Sequence, residues 1–170
     1  MMNPMKTSMH YKRVREFMIK AQQKVRDTPE ILTEEERLLR AKLIFEECME
    51  TINLGLGVDI GTMYNDPDEG PTYVEYSPHN QFIEFSIERP MDLIETIDGC
   101  ADIKVVTTGT LVAMGVPDAP IQLEVDNNNL AKFGPGGYRD ESGKWIKPPN
   151  HQPPNLQGVL DSLKGQTMSE

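Results

Sequence analysis

Residues 44–52 read IFEECMETI, and this stretch limits the fold more severely than any other. Glu46, Glu47 and Glu50 fall within one turn of an otherwise apolar helical segment. Like charges three and four residues apart on a helix repel, so the arrangement lowers stability unless positive charge comes among them. The helix that carries them is predicted from Thr33, which forms a capping box with Glu36, to about Leu54, where Gly55 and Gly57 stop it. At about 100° per residue, Glu47 and Glu50 lie roughly 60° apart, on a line that continues through Leu39, Leu43 and Leu54. Two acids therefore interrupt a stripe that is otherwise apolar.

The construction recurs. A helix predicted from about Pro90 through DLIETIDGCADIKVVTTGTLVAM to Gly115 places Glu95, Asp98 and Asp102 at i, i+3 and i+7, on a stripe that runs on into Val106, Gly109 and Ala113. Its mid-helix Gly99 lowers helix stability by about 1 kcal/mol relative to Ala, which close packing against a partner helix or a ligand would explain. Packed antiparallel, the two helices would gather roughly four to six carboxylates around one cavity. Charges so placed need cations to offset them. Oxygen-only ligands suit Mg²⁺ or Mn²⁺, which keep waters and accept substrate phosphates as further ligands. A single ExxE or ExxD is commonplace on solvated helix faces; the pair of them, each along an apolar stripe, is what favours metal.

The remaining chain is read around these helices. Val14, Phe17, Met18, Ala21 and Val25 mark an amphipathic helix from about Met9 to Arg26, ended by Asp27-Thr28-Pro29. Residues 58–90 hold TYVEY and FIEFSI around the turn SPHNQ, a β-hairpin excursion. A fourth helix follows VPDAP and carries IQLEVDNNNLAKF to Gly134. Residues 134–154 are Gly- and Pro-rich and are expected to be extended or looped, and NLQGVLDSL makes a short last helix. At 170 residues the expectation is one domain spanning 1–170, mainly α, with a helical core over about 10–55 and 90–133.

Charge and cysteine usage narrow the function. Residues 59–102 hold eleven carboxylates against Arg89 alone, so nearly the whole net charge of −10 sits there. Nucleic-acid phosphates would be repelled by such a segment and divalent cations attracted. Cys48 and Cys100 have no CxxC partners and are expected to be reduced and buried, and His10, His79 and His151 stand in unrelated contexts. With no run of eighteen apolar residues and no apolar signal core at the N-terminus, neither membrane nor export is indicated, and a cytoplasmic location is expected.

Glu46-Glu47-x-x-Glu50 followed by Glu95-x-x-Asp98-x-x-x-Asp102 resembles the EExxE and ExxD signature of the MazG-like, all-α nucleoside triphosphate pyrophosphohydrolases, a group that includes phosphoribosyl-ATP pyrophosphohydrolases and dimeric dUTPases. Asn129-Leu130-Ala131-Lys132 and Gly143-Lys144-Trp145-Ile146-Lys147-Pro148 look like the Asn-x-x-Lys and Gly-Lys-x-x-Lys-Pro segments of part of that family, so the likeness covers residues 10–55 and 90–160. It implies a helical bundle completed by oligomerisation as a homodimer or tetramer, with sites near the subunit interface. It also implies Mg²⁺-dependent hydrolysis of a nucleoside triphosphate to the monophosphate and pyrophosphate, with two or three ions per site and Mn²⁺ able to substitute. Carried over by position, Glu47, Glu50, Glu95 and Asp98 are metal ligands, and Glu46 and Asp102 are auxiliary catalytic acids. The insertion at 58–90 departs from members with a shorter link and leaves base specificity open.

Lys132, Lys144 and Lys147, with Asn129, are candidate triphosphate contacts in so acidic a chain, and Arg139 is a weaker one. Asn127, Asn128, Tyr138, Trp145, Tyr76, His79 and Phe82 are candidates for the base, with a purine such as that of dGTP or GTP as one expected preference. Two rival readings stand beside this one: a non-catalytic helical protein that binds metal structurally and contacts a partner through its Pro-rich tail, and hydrolysis of phosphoribosyl-ATP.

Overall fold

The computed structural model describes residues 7–62 and 83–164. Within them the chain is mainly helical: α1 (Met9–Lys20), α2 (Glu34–Glu50), a π-helical turn (Thr51–Gly55), β1 (Val58–Thr62), β2 (Ile83–Ile87), α3 (Leu93–Met114), α4 (Asp118–Ala131), β3 (Tyr138–Arg139), β4 (Trp145–Ile146) and α5 (Leu156–Lys164). The chain forms two compact units, a central one of Arg37–Val106 and a terminal one of Met1–Glu36 with Thr107–Glu170. Both boundaries fall within helices, α2 and α3.

In the terminal unit α1 buries Tyr11, Val14 and Met18. Its start is tied to that of α4, since the Asp118 carboxylate accepts from the Ser8 N–H at 2.9 Å and from the Ser8 hydroxyl. The helix expected to reach Arg26 stops at Lys20. Gln22 takes a left-handed φ of 56°, and the Gln23 N–H returns to the Met18 carbonyl at 2.8 Å, the closing pattern of a helix C-terminus. The reason is tertiary. The freed segment donates the N–H groups of Arg26 and Glu30 to the carbonyls of Val112 (3.3 Å) and Met114 (2.9 Å), and the Arg26 guanidinium to that of Ala113 (2.6 Å). Last-turn carbonyls of α3 are satisfied in part by Arg26, which a longer α1 would have consumed, and by Glu30 beyond it. Arg26 also pairs with Glu30 and Glu36, both at 2.9 Å. The capping box forms as read, with Thr33 N–H to the Glu36 carboxylate at 2.8 Å and Glu36 N–H to the Thr33 hydroxyl at 3.2 Å.

The Gly- and Pro-rich segment is not wholly irregular, because β3 and β4 pair antiparallel within it. Asp140 makes the turn, its carboxylate accepting from the N–H groups of Ser142 (3.0 Å) and Lys144 (2.9 Å). The Trp145 indole donates to the Lys132 carbonyl at 2.7 Å and packs on Phe133 with ring centres 4.9 Å apart, which fastens the hairpin to the end of α4.

In the central unit β1 and β2 pair antiparallel from Val58↔Ile87 to Thr62↔Ile83. FIEFSI is thus a strand over Ile83–Ile87, and its partner is Val58–Thr62, which alternation alone does not mark. TYVEY and the turn SPHNQ lie outside the described residues. Arg89 joins this hairpin to the π-helical turn, donating to the Asn53 carbonyl and side-chain oxygen and to Asp59, each at 2.8 Å. α3 then starts under Asp92, whose carboxylate accepts from the N–H groups of Ile94 (2.9 Å) and Glu95 (3.1 Å).

Candidate functional site

The acidic helices meet through small residues of the central unit. A Cβ built on Gly99 would collide with the Thr51 hydroxyl and lie 2.9 Å from the Thr51 Cβ; one on Gly55 would lie 2.9 Å from the Thr96 Cα. The helices are therefore in contact at both places, through the Thr51 side chain at Gly99 and through the Thr96 backbone at Gly55, and Gly99 is the close-packing position its propensity penalty suggested. Residue 51 faces 99 while 55 faces 96, so α2 with its π-helical turn runs antiparallel to α3.

That contact determines where the acids lie. On α2, Glu47 is about 40° and Glu50 about 100° round from Thr51, so the acids flank the seam rather than fill it. Glu47 and Asp102 are half-buried, while Glu46, Glu50, Glu95 and Asp98 are exposed. Burial, and after it the charges of Asp102, Glu50, Glu46 and Asp98, hold the Glu47 carboxyl above the usual carboxylate range. Five of the six predicted acids thus share one electrostatic neighbourhood. Thr51 anchors the same turn, its hydroxyl donating to the Glu47 carbonyl at 2.6 Å.

The expected core-facing stripes are corrected by this geometry. Leu39 and Leu54 are 44 % and 52 % exposed, and only Leu43 of that line is half-buried. A π turn adds a residue to the winding right after Glu50 and carries Leu54 off the line. On α3 the far end of the stripe does bury, at Gly109 and Ala113. Cys100 is likewise exposed rather than buried, standing about 100° round the helix from the contact glycine, and Cys48 is half-buried; both are free thiols. Among the described residues no three His, Cys, Asp or Glu side chains converge at metal-binding distance. The donor set nonetheless has the chemistry of a hard-cation site, since the charges acting most strongly on Glu47 are the carboxylates of Asp102, Glu50, Glu46 and Asp98.

The predicted substrate contacts belong to the terminal unit. Lys132 is half-buried, with its ammonium on the Asn129 side-chain oxygen at 2.7 Å, and Lys144 and Lys147 are exposed. Arg139 donates to the Gly143 carbonyl at 2.9 Å. Asn127 and Tyr138 are exposed, Asn128 donates to the Gln152 carbonyl at 2.7 Å, and Trp145 is engaged by Lys132. An open groove of about 430 Å³ beside Asn128 is lined also by Ala131, Pro148 and His151. Tyr76, His79 and Phe82 lie outside the described residues. Two residues that sequence reasoning passed over shape the acidic turn, Thr51 and Arg89. Thr51 carried a legible signal, four residues after Glu47 and so on the same face; Arg89 carried one as the single cation in the acidic segment.

The family profile described as phosphoribosyl-ATP pyrophosphohydrolase matches residues 14–129, well over half of the chain and all six acids. Lys132, Lys144 and Lys147 fall beyond the matched stretch. No curated protein matches the chain.

Proposed function

The chain belongs to the phosphoribosyl-ATP pyrophosphohydrolase family, within the MazG-like all-α superfamily, and is a hydrolase of phosphoanhydride bonds; from that premise we propose that it hydrolyses a nucleoside triphosphate to the monophosphate and pyrophosphate with Mg²⁺. The observation that carries the reading is the gathering of carboxylates around Glu47 across two antiparallel helices. Glu47, Glu50, Glu95 and Asp98 would hold the divalent ion, with Glu46 and Asp102 as auxiliary acids. Bound there, such an ion supplies an activated water and neutralises charge developing on the phosphates. The residues' own part is to fix the ion's position, through the Thr51 bond to the Glu47 backbone and the Gly99 contact. Phosphate contacts are assigned to Lys132, Lys144 and Lys147 by their charge, with Asn129 orienting Lys132.

A second copy of the chain completes the fold in this proposal. Large apolar side chains of the central unit support it, with Leu38, Phe45, Ile94 and Ile97 between 55 % and 72 % exposed. Size-exclusion chromatography with light scattering should return a dimer or tetramer, and a monomer at micromolar concentration would contradict it. The substrate test incubates the chain with Mg²⁺ or Mn²⁺ and a panel of (d)NTPs, purines such as dGTP and GTP first. Phosphoribosyl-ATP belongs in the panel because the matched family bears its name. Pyrophosphate and monophosphate are the expected products; inert nucleotides across the panel would leave a non-catalytic metal-binding role instead.

A further inference from the structure

We propose that the groove between the end of α4 and the chain that follows β4 is a nucleobase site, read by Asn128 and His151. The inference rests on the nucleotide-hydrolysing reading above and adds to it where the base is recognised. Of the groove's lining, Asn128 alone belongs to the stretch that matches the family, which ends at residue 129. Base recognition is thereby assigned to a tail outside that stretch.

A clamp fixes the groove. The tail runs back along α4, antiparallel to it, and three bonds about one helical turn apart hold it there. The Trp145 indole donates to the Lys132 carbonyl at 2.7 Å, the Asn128 amide to the Gln152 carbonyl at 2.7 Å, and the Asn155 N–H to the Glu124 carboxylate at 2.6 Å. One wall is the last turn of α4 with Gly134-Pro135, and the other is Pro148 with residues 150–152, where the His151 N–H closes a turn on the Pro148 carbonyl at 3.0 Å. A proline on each wall fixes the local backbone, so a ligand meets a preformed surface, and about 430 Å³ is within the range of small-molecule sites.

The lining selects the ligand. Among the described residues that form it, none carries a carboxylate, an ammonium or a guanidinium, so the part of a ligand seated there is uncharged. Pro135 and Pro148 offer apolar surface to a flat ring, the His151 imidazole a ring to stack on it, and the carboxamides hydrogen bonds along its edge. Asn128 is already oriented. Its amino group is committed to Gln152, which leaves the side-chain oxygen to accept from an amino or imino N–H of a base. Cations stand next to the lining in the chain, since Lys132 follows Ala131 and Lys147 precedes Pro148. A neutral, amide-rimmed groove flanked by lysines has the charge layout of a nucleotide, whose uncharged base adjoins a polyanion. Proline-rich peptides are taken by aromatic-lined grooves, and this one has the His151 ring alone.

The test uses nucleosides, which lack phosphates and need no metal. Adenosine, guanosine, cytidine and uridine are titrated separately into the ¹⁵N-labelled full chain in chelator, with amide shifts followed by NMR. At least one is expected to shift Asn128, His151 and Gln152 most, and His151→Ala to weaken its binding by about tenfold. That variant leaves the clamp in place, because the Asn128 amide bonds to a backbone carbonyl. In turnover of (d)NTPs, Asn128→Ala is expected to raise KM for the preferred base by about tenfold and to narrow its advantage over the others. Should Asn128→Ala loosen the tail, His151→Ala decides by the same ratio. Nucleosides that leave the groove unshifted while the (d)NTP panel is hydrolysed, or an unchanged base preference in both variants, overturn this inference alone. Shifts at the groove with an inert panel uphold the base site and overturn the hydrolase reading, and silence in both experiments overturns both. A polyproline peptide that shifts the groove where nucleosides do not would make it a peptide-docking surface and overturn the base assignment.

Discussion

Substituting Gly99 with Ala tests the contact on which the site depends. The added Cβ would lie 2.9 Å from the Thr51 Cβ and 3.1 Å from its Cγ2, and inside the space of its hydroxyl. Carbon atoms rest at about 3.5–4.0 Å, so either the helices separate or Thr51 turns. Overpacking of this kind lowers stability by about 1–3 kcal/mol. Turning Thr51 also breaks its bond to the Glu47 carbonyl, worth about 0.5–1.5 kcal/mol. Alanine's better helix propensity returns about 1 kcal/mol, which leaves a net destabilisation of roughly 1–3 kcal/mol. Urea unfolding at pH 7 in chelator, at one fixed protein concentration because assembly would shift the midpoint, measures it. The double variant with Thr51→Ala removes the atoms that clash, so the two changes should couple by about 1 kcal/mol or more instead of adding. A Gly99→Ala protein as stable as wild type, with an additive cycle, would mean that the helices do not touch there, and the placement of Asp98 and Asp102 beside Glu47 would fall with the contact.

Other expectations follow from the same geometry. Glu50→Ala and Asp98→Ala should abolish pyrophosphate release while leaving a folded protein whose metal-free melting temperature rises, since each removes a like charge near Glu47; near-wild-type turnover in either would overturn the site. Glu47 binds its proton more tightly folded than unfolded, so its ionisation opposes folding. The wild type in chelator should therefore gain stability over Glu47→Gln as pH falls from 7 through the raised pKa toward the unfolded value near 4.5, and lose that gain as pH rises again; a pH-independent difference would contradict the assignment. Trp145→Phe keeps the packing on Phe133 but deletes the donor to the Lys132 carbonyl, with an expected loss of about 0.5–1.5 kcal/mol. Faster amide exchange over residues 132–146 would report it, and unchanged exchange would show that the indole does not hold the hairpin.

How much the sequence disclosed depended on whether the deciding interaction was local. The Thr33–Glu36 capping box spans three residues and was fully legible, as was the existence of both acidic helices. The end of α1 was not, because Val14, Met18 and Val25 keep helical spacing past Lys20, and what stops the helix is the need for donors at the last turn of α3, nearly ninety residues away. Val58–Thr62 escaped notice for a related reason: VDIGT alternates only over Val58-Asp59-Ile60 before Gly61 and is a strand because FIEFSI pairs with it. The β3–β4 pair lay inside a segment whose Gly and Pro content suggests loops, although Asp140 and Gly143 are spaced as turn residues.

For the site itself, periodicity carries one coordinate and lacks the other. The i, i+3, i+7 spacing of Glu95, Asp98 and Asp102 says that they share an angle about α3, and an angle alone makes all three equal candidates. Their height along α3 relative to Glu47 and Glu50 is a property of two helices together, set by where small residues let the helices touch. Gly99 and Gly55 are the marks of that contact in the sequence, but each needs its opposite number, Thr51 or Thr96, before it conveys a level. Once the pairs are known the carboxylates cease to be equivalent, and Glu95, which completes the motif by spacing, is the member furthest along the axis from the acids of α2. A motif written as residue types at fixed spacing therefore defines a face, whereas the level at which each member meets the neighbouring helix is defined by the seam.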